Sequence, residues 1–249
     1  MADLETPIAV PRKAATVLIV RNDPFEVLMV KRSEKAYYAS ALVFPGGILE
    51  AGDADEAWLP HLYGGKDLGA DERMFRIAAC REIFEESGLL ISTPATTVQL
   101  SAEARAATIF QLIIRDHNVK LSMDAFVDFA HWLTPEFAPK RFDTRFFICA
   151  APAGHEAVCD GVETVSLVWV SPQAALQSFA AGEVSIAFPT RMNLIRLAES
   201  SDSASALAAA RARSYFKVTP TVVETEKGRV VRIPLEAGYG TIGDDLPPI

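Results

Sequence analysis

Cysteine is scarce. Cys80, Cys149 and Cys159 are odd in number, widely spaced and without a CxxC pair, which argues against a disulfide framework or a zinc site and for buried thiols. Long apolar runs are missing too. No stretch reaches the roughly 18 to 20 residues of a membrane-spanning helix, and the acidic start Met-Ala-Asp-Leu-Glu is unlike a signal peptide. Pro247-Pro248-Ile249 is not a Ser-Lys-Leu type of address, so the expected compartment is the cytoplasm. Basic charge is in the minority, with 24 Lys and Arg against 32 Asp and Glu and a net charge of −8. That balance disfavours nucleic acid and membrane surfaces as partners and leaves a small molecule, met by at most a small basic pocket. There are no repeats and no clear linker. With 249 residues, 50% hydrophobic and 22% charged, residues 1–249 are expected to form one domain with insertions.

Residues 14–20 and 26–31 are β-branched runs joined by Asn22-Asp23-Pro24, a hairpin pattern. Leu42-Val43-Phe44 reads as a third strand, ended by Pro45-Gly46-Gly47, where two glycines allow the backbone to approach a ligand. Residues 60–69 read as loop, and a helix is expected from Ala70-Asp71, with Asp71 as its N-cap and Gly88 as its C-cap. Further helices are expected over 101–115, with Ile109, Leu112 and Ile113 as a buried stripe, and over 122–132. Strands follow at 146–151 and 163–171, then helices from Pro172 and over 189–198. A loop at 200–206, a short helix at 207–213 and a hairpin over 217–233 are expected to follow.

Near the end of the first long helix three carboxylates fall within five residues. At about 100° per residue, Glu82, Glu85 and Glu86 share an arc of roughly 100°, opposite Ile77, Cys80, Ile83 and Phe84. Like charges at these spacings cost about 0.2 to 0.5 kcal/mol per pair, and the negative end of the helix dipole adds to the cost. Arg81 offsets one of the three charges. The cluster is consistent either with a solvated acidic face or with a hard divalent cation, Mg2+ or Mn2+, which prefers carboxylate oxygen.

Arg81-Glu82-Ile83-Phe84-Glu85-Glu86-Ser87-Gly88-Leu89 resembles the second half of the Nudix hydrolase box, REUxEExGU with U an aliphatic residue, at every specified position. In the family pattern, GxxxxxE and seven residues precede that half. Here Asp53 stands in place of the Glu after Gly47, and residues 54–80 give 27 intervening positions, so about 20 residues are inserted. The catalytic half is intact. The split box, the expected helical insertion near 92–140 and the segments WLTPE and KRFDTRFF are similar to the branch of coenzyme A diphosphatases that includes the mammalian peroxisomal enzyme.

The resemblance implies an α/β/α sandwich on a mixed sheet and metal-dependent hydrolysis of a diphosphate in coenzyme A or acyl-coenzyme A. Other nucleoside diphosphate derivatives, ADP-ribose and NADH among them, stay open as substrates, as does a non-catalytic ligand sensor. Retention of all three glutamates and Arg81 favours the enzyme. The metal ligands implied are Glu82, Glu85, Glu86 and the backbone at Gly47, with Arg81 orienting the carboxylates. Glu85 and Glu163 are the candidates for general base. Lys31, Arg32, Lys140, Arg141 and Arg145 are candidate phosphate contacts, Arg32, Arg141 and Arg145 foremost, with Phe142 or Trp132 against an adenine ring or in the core.

Overall fold

The computed structural model describes residues 8–32, 41–98, 100–107, 109–159, 164–226, 228–239 and 243–245. Its organising strand is β1 (Arg12–Arg21), which pairs in parallel with β9 (Phe142–Ala150) along nearly its whole length. At its other edge β1 pairs antiparallel with β2 (Glu26–Arg32) at one end and with β4 (Gly46–Ile48) at Ala14–Thr16, while the two-residue β3 (Leu42–Val43) pairs with β2. With β8 (Val127–Leu133), β10 (Thr164–Val170) and β11 (Lys217–Val218) these make a mixed eight-stranded sheet in which β10-β2-β1-β9-β8-β11 is the main path.

Both faces of this sheet are covered, which is why β1 is apolar almost throughout. Ala15, Val17 and Ile19 belong to a core shared with α1 (Ala70–Ser87), and Leu18 and Val20 to one shared with α5 (Phe188–Leu197) and α6 (Ser203–Ala212). The two-residue period of the strand thus divides its side chains between two layers. The result is the expected α/β/α sandwich on a mixed sheet. β5 (Leu62–Tyr63), β6 (Ser92–Thr93) and β7 (Lys120–Ser122) form a second, small sheet, and β12 (Thr221–Thr225), β13 (Gly228–Arg232) and β14 (Gly243–Asp245) a third. Helices α2 (Ala102–Ala107), α3 (Phe110–Asp116) and α4 (Pro172–Ala180) complete the chain. No helix among the described residues is long and apolar enough to cross a membrane.

Helix α1 buries Ile77, Cys80, Ile83 and Phe84, as its periodicity predicts, and Phe75, Ala78 and Ala79 besides. It ends at Gly88, whose φ of 70° is the left-handed conformation of a C-cap and whose N–H donates to the Phe84 carbonyl at 2.8 Å. Its N-cap is Gly69, not Asp71, because the Asp71 carboxylate is held by Lys13 and Arg145 from the sheet. The inserted stretch is anchored at Trp58, which is buried and donates to the Gly52 carbonyl at 2.9 Å.

Of the segment expected to be helical over 122–132, Met123–Ala125 is a single 3-10 turn and the rest from Val127 is strand β8, so the α-helices described in the insertion near 92–140 are α2 and α3. A bulge explains the misleading pattern. The register with β9 shifts between Asp128 and Ala130, so Val127 and Phe129 before it and Ala130 and Trp132 after it all pack on one side. A broken two-residue period looks like helical spacing. Ile109 is also exposed instead of buried, because it is the N-cap of α3 and lies outside the helix that buries Phe110, Ile113 and Ile114. The expected loop at 200–206 already holds the start of α6, where Asp202 caps the helix by accepting from Ser205 N at 2.7 Å.

Candidate active site

The last turns of α1 lie against β4. A Cβ added at Gly47 would stand 2.5 Å from the Glu82 carboxylate carbon, so only glycine leaves that carboxylate its place beside the backbone. One strand residue earlier, Gly46 N–H donates to Glu86 Oε2 at 2.9 Å. The two glycines therefore bring β4 onto two of the three glutamates, and both carboxylates are largely buried, Glu82 with 13% of its side chain exposed and Glu86 with 6% of the residue. Glu85 is the most open of the three, at 36%.

Arg81 does more than offset one charge. Its Nη1 donates to Glu82 at 2.8 Å and to Glu85 at 3.1 Å, while Nε and Nη2 each donate to Asp53 at 3.0 Å and Nη2 also to the Ile48 carbonyl. Asp53 is 2% exposed, and its Oδ2 also accepts from Glu50 N at 2.7 Å. The aspartate in the first half of the box is thus tied to the arginine of the second half across the insertion.

Burial raises the Glu82 carboxyl to about 7, with Arg81 pulling it down and Glu85 pushing it up. Burial likewise raises Glu85, against the pull of Arg81. For Arg81, burial alone disfavours the charge, but hydrogen bonding to Asp53 and the field of Glu82 outweigh it and hold the guanidinium more firmly protonated than usual.

The residues suit a hard divalent cation, since carboxylate oxygens stand beside a backbone cradle that a Cβ would fill. No group of three Asp, Glu, His or Cys side chains is arranged as a ready metal site among the described residues, and in this arrangement Arg81 supplies the counter-charge to Glu82 and Glu85.

The remaining candidates are scattered. Glu163 lies outside the described residues, and so does the Arg32 side chain at the end of β2. Arg141 is buried and donates to the carbonyls of Thr134 at 3.1 Å and Ala9 at 3.0 Å, so it joins chain segments. Arg145 pairs with Asp71 at 3.4 Å and lies over the Phe75 ring at 4.4 Å. Ala15 pairs with Gly47 on one side and Arg145 on the other, which puts Arg145 two strand spacings, about 10 Å, from Gly47. Trp132 is a core residue.

A cluster that sequence reasoning did not assemble joins His131, Asp143 and Lys217. His131 Nε2 bonds Asp143, Lys217 Nζ donates to the same carboxylate at 2.8 Å, and the Tyr215 ring packs on the imidazole at 5.5 Å. Nothing local links Lys217 to β9, so only the pairing of β11 with β8 reveals it.

The family model of the NUDT19 Nudix domain matches residues 64–197, more than half of the chain. Acyl-coenzyme A diphosphatase NUDT19 of Xenopus laevis is 28% identical over 226 residues, covering 70% of this chain and 60% of that protein. The human protein of the same name is 27% identical over 228 residues with the same coverage. The chain therefore spans about 60% of the length of these relatives. Putative nudix hydrolase 7 of Caenorhabditis elegans is 29% identical over 199 residues, 77% of this chain and 62% of that protein. Among solved structures, a Nudix hydrolase from Alicyclobacillus acidocaldarius superposes with a TM-score of 0.69 at 24% identity, covering 81% of this chain and 97% of its own, which is a likeness of fold.

Proposed function

The chain belongs to the NUDT19 Nudix domain family, and from that membership we propose that it is a divalent-metal-dependent diphosphatase acting on coenzyme A or acyl-coenzyme A. The observation that carries the reading is the approach of β4 to α1, with Gly47 leaving room for Glu82 and Gly46 bonded to Glu86. A solvated acidic face has no need of either contact.

In this reading Glu82, Glu85, Glu86 and the Gly47 carbonyl hold Mg2+ or Mn2+, which when bound polarises a phosphoryl oxygen and lowers the pKa of a coordinated water. Arg81, clamped by Asp53, fixes the orientation of Glu82 and Glu85 without touching substrate. Glu85 is the general base. One of its oxygens accepts from Arg81, and its partial exposure opens the carboxylate to the attacking water. Glu163 is the alternative for this role. Water adds to phosphorus, the bond to the bridging oxygen breaks, and coenzyme A yields 3′,5′-ADP and a phosphopantetheine. Arg32 and Arg145 are the remaining candidate phosphate contacts.

We also infer a single domain with two insertions, supported by the way the small sheets and the residues that follow their strands enter the main cores: Leu121 and Met123 join the α1 layer, and Ile233, Ala237 and Tyr239 the α5 layer.

The test is hydrolysis, with Mg2+ or Mn2+, of a panel of coenzyme A, acyl-coenzyme A, ADP-ribose, NADH and dNTPs. Coenzyme A species are expected to give the highest kcat/KM. Faster turnover of ADP-ribose or NADH would overturn the substrate, and absence of any hydrolysis would overturn the enzyme.

A further inference from the structure

Strand β11 pairs only with His131 and Trp132 of β8, so among the described residues the 127–130 half of β8 has no strand on its outer side. A cleft of about 980 Å³ opens there, walled by residues 62–68 of the stretch inserted into the box, by β8 and by the end of α6 with residues 213–216. That volume is within the range of small-molecule sites. None of the three glutamates, Gly47 or Arg81 lines it. β1 and β9 lie between β4 and β8, so three strand spacings, about 14 Å, separate the cleft from the carboxylates.

The lining is basic in an acidic protein, with six Lys and Arg against three Asp. Three arginines are engaged. Arg76, buried, donates to the Met123 and Phe126 carbonyls, Arg196 to the Ala237 carbonyl, and Arg213 to Glu199. The other cations, Lys66, Lys120 and Arg211, are exposed and have no hydrogen-bond or ion-pair partner among the described residues. Two of the aspartates are partly neutralised, Asp124 by Gly65 N–H at 2.8 Å and Asp128 by Arg76 at 3.4 Å, while Asp67 is exposed.

The wall that carries Lys66 is seated. Gly65 has a φ of 65°, and a Cβ there would lie 2.7 Å from Met123 Cβ, so the turn is pressed against the residues after β7. In the same cleft Tyr63 and Tyr215 are 53% and 49% exposed, which leaves aromatic surface open to a flat ring. Arg76 Nε, buried in the wall, has no hydrogen-bond partner among the described residues.

We propose that this cleft is a second ligand site, separate from the hydrolytic centre, for a phosphorylated aromatic small molecule of the mononucleotide class. Lys66, Lys120 and Arg211 meet the phosphate, and Tyr63 or Tyr215 stacks on the base. The insertion that splits the Nudix box then has a function of its own, as one wall of this site.

AMP titrated calorimetrically into the full chain in EDTA isolates the cleft, because carboxylates without a divalent cation repel phosphate. Saturable binding is expected. It should weaken at least tenfold in Lys66→Glu/Lys120→Glu and at least tenfold when adenosine replaces AMP, and stay unchanged in Glu86→Gln. Both lysines are exposed and unpartnered among the described residues, so an unshifted melting curve will show that the double variant folds, and Arg211→Ala, also weaker, is the independent check. No binding at millimolar AMP, an equal Kd in the lysine variant, or loss of binding in Glu86→Gln would overturn the proposal. Hydrolysis of coenzyme A can succeed or fail independently of all three.

Discussion

Asp53 and Arg81, 28 residues apart in sequence, meet in a two-point pair with Nε and Nη2 each 3.0 Å from a carboxylate oxygen. Asp53→Ala leaves a buried guanidinium short of its main partner, so a stability loss of about 3 kcal/mol is expected in urea denaturation. Activity should fall as well, because Arg81 also fixes Glu82 and Glu85. A variant of unchanged stability and sharply reduced kcat would instead give Asp53 a direct part in the chemistry.

Gly47→Ala puts a methyl group where the Glu82 carboxylate stands. The side chain can swing away, so the expected stability loss is below about 2 kcal/mol, whereas kcat should drop by about 100-fold through the displaced carboxylate. Thermal melts beside steady-state kinetics separate the two effects.

Millimolar Mg2+ or Mn2+ should raise Tm, since a ligand that binds only the folded state stabilises it by RT ln(1 + L/Kd), with L the free ligand concentration. Glu86→Gln keeps an oxygen for the Gly46 N–H, so the metal-free Tm should stay close to that of the parent while most of the metal-induced shift and of the activity disappears. A metal shift of full size in the variant would take Glu86 out of the ligand set.

His131 and Asp143 make stability depend on pH. Burial lowers the His131 pKa below its ordinary 6.5 despite the bond to Asp143. Burial pushes the Asp143 carboxyl up, but Lys217 and His131 outweigh it and leave it below its usual value. For both groups the unfolded chain binds more protons than the folded one between the two pKa values, so their contribution to stability is full above about pH 6.5 and is lost as the pH falls, first through His131 and then through Asp143. Tm measured from pH 7.5 to 4 should fall less steeply in His131→Gln; equal slopes would show that the imidazole is not responsible.

Arg141→Met is expected to cost about 1 to 3 kcal/mol, through the unpaired carbonyls of Thr134 and Ala9, and to leave KM for coenzyme A unchanged. A rise in KM at unaltered stability would return Arg141 to the substrate.

Local sequence was sufficient where the signal is local. The apolar face of α1, its Gly88 cap, the hairpin of β1 and β2 and the grouping of Glu82, Glu85 and Glu86 all follow from residue type and period, and the residue pattern over 81–89 pointed to the family. The tertiary structure decided what depends on partners distant in the chain. The bulge in β8 moved Phe129 and Ala130 onto one face and gave a strand the look of a helix. Asp53 found Arg81 across the insertion, and Arg141 found the carbonyls of Thr134 and Ala9. A charged side chain has the same intrinsic chemistry wherever it stands. Whether it meets a carboxylate, a carbonyl or open solvent is set by sheet register and helix packing, which the residues next to it in sequence do not encode.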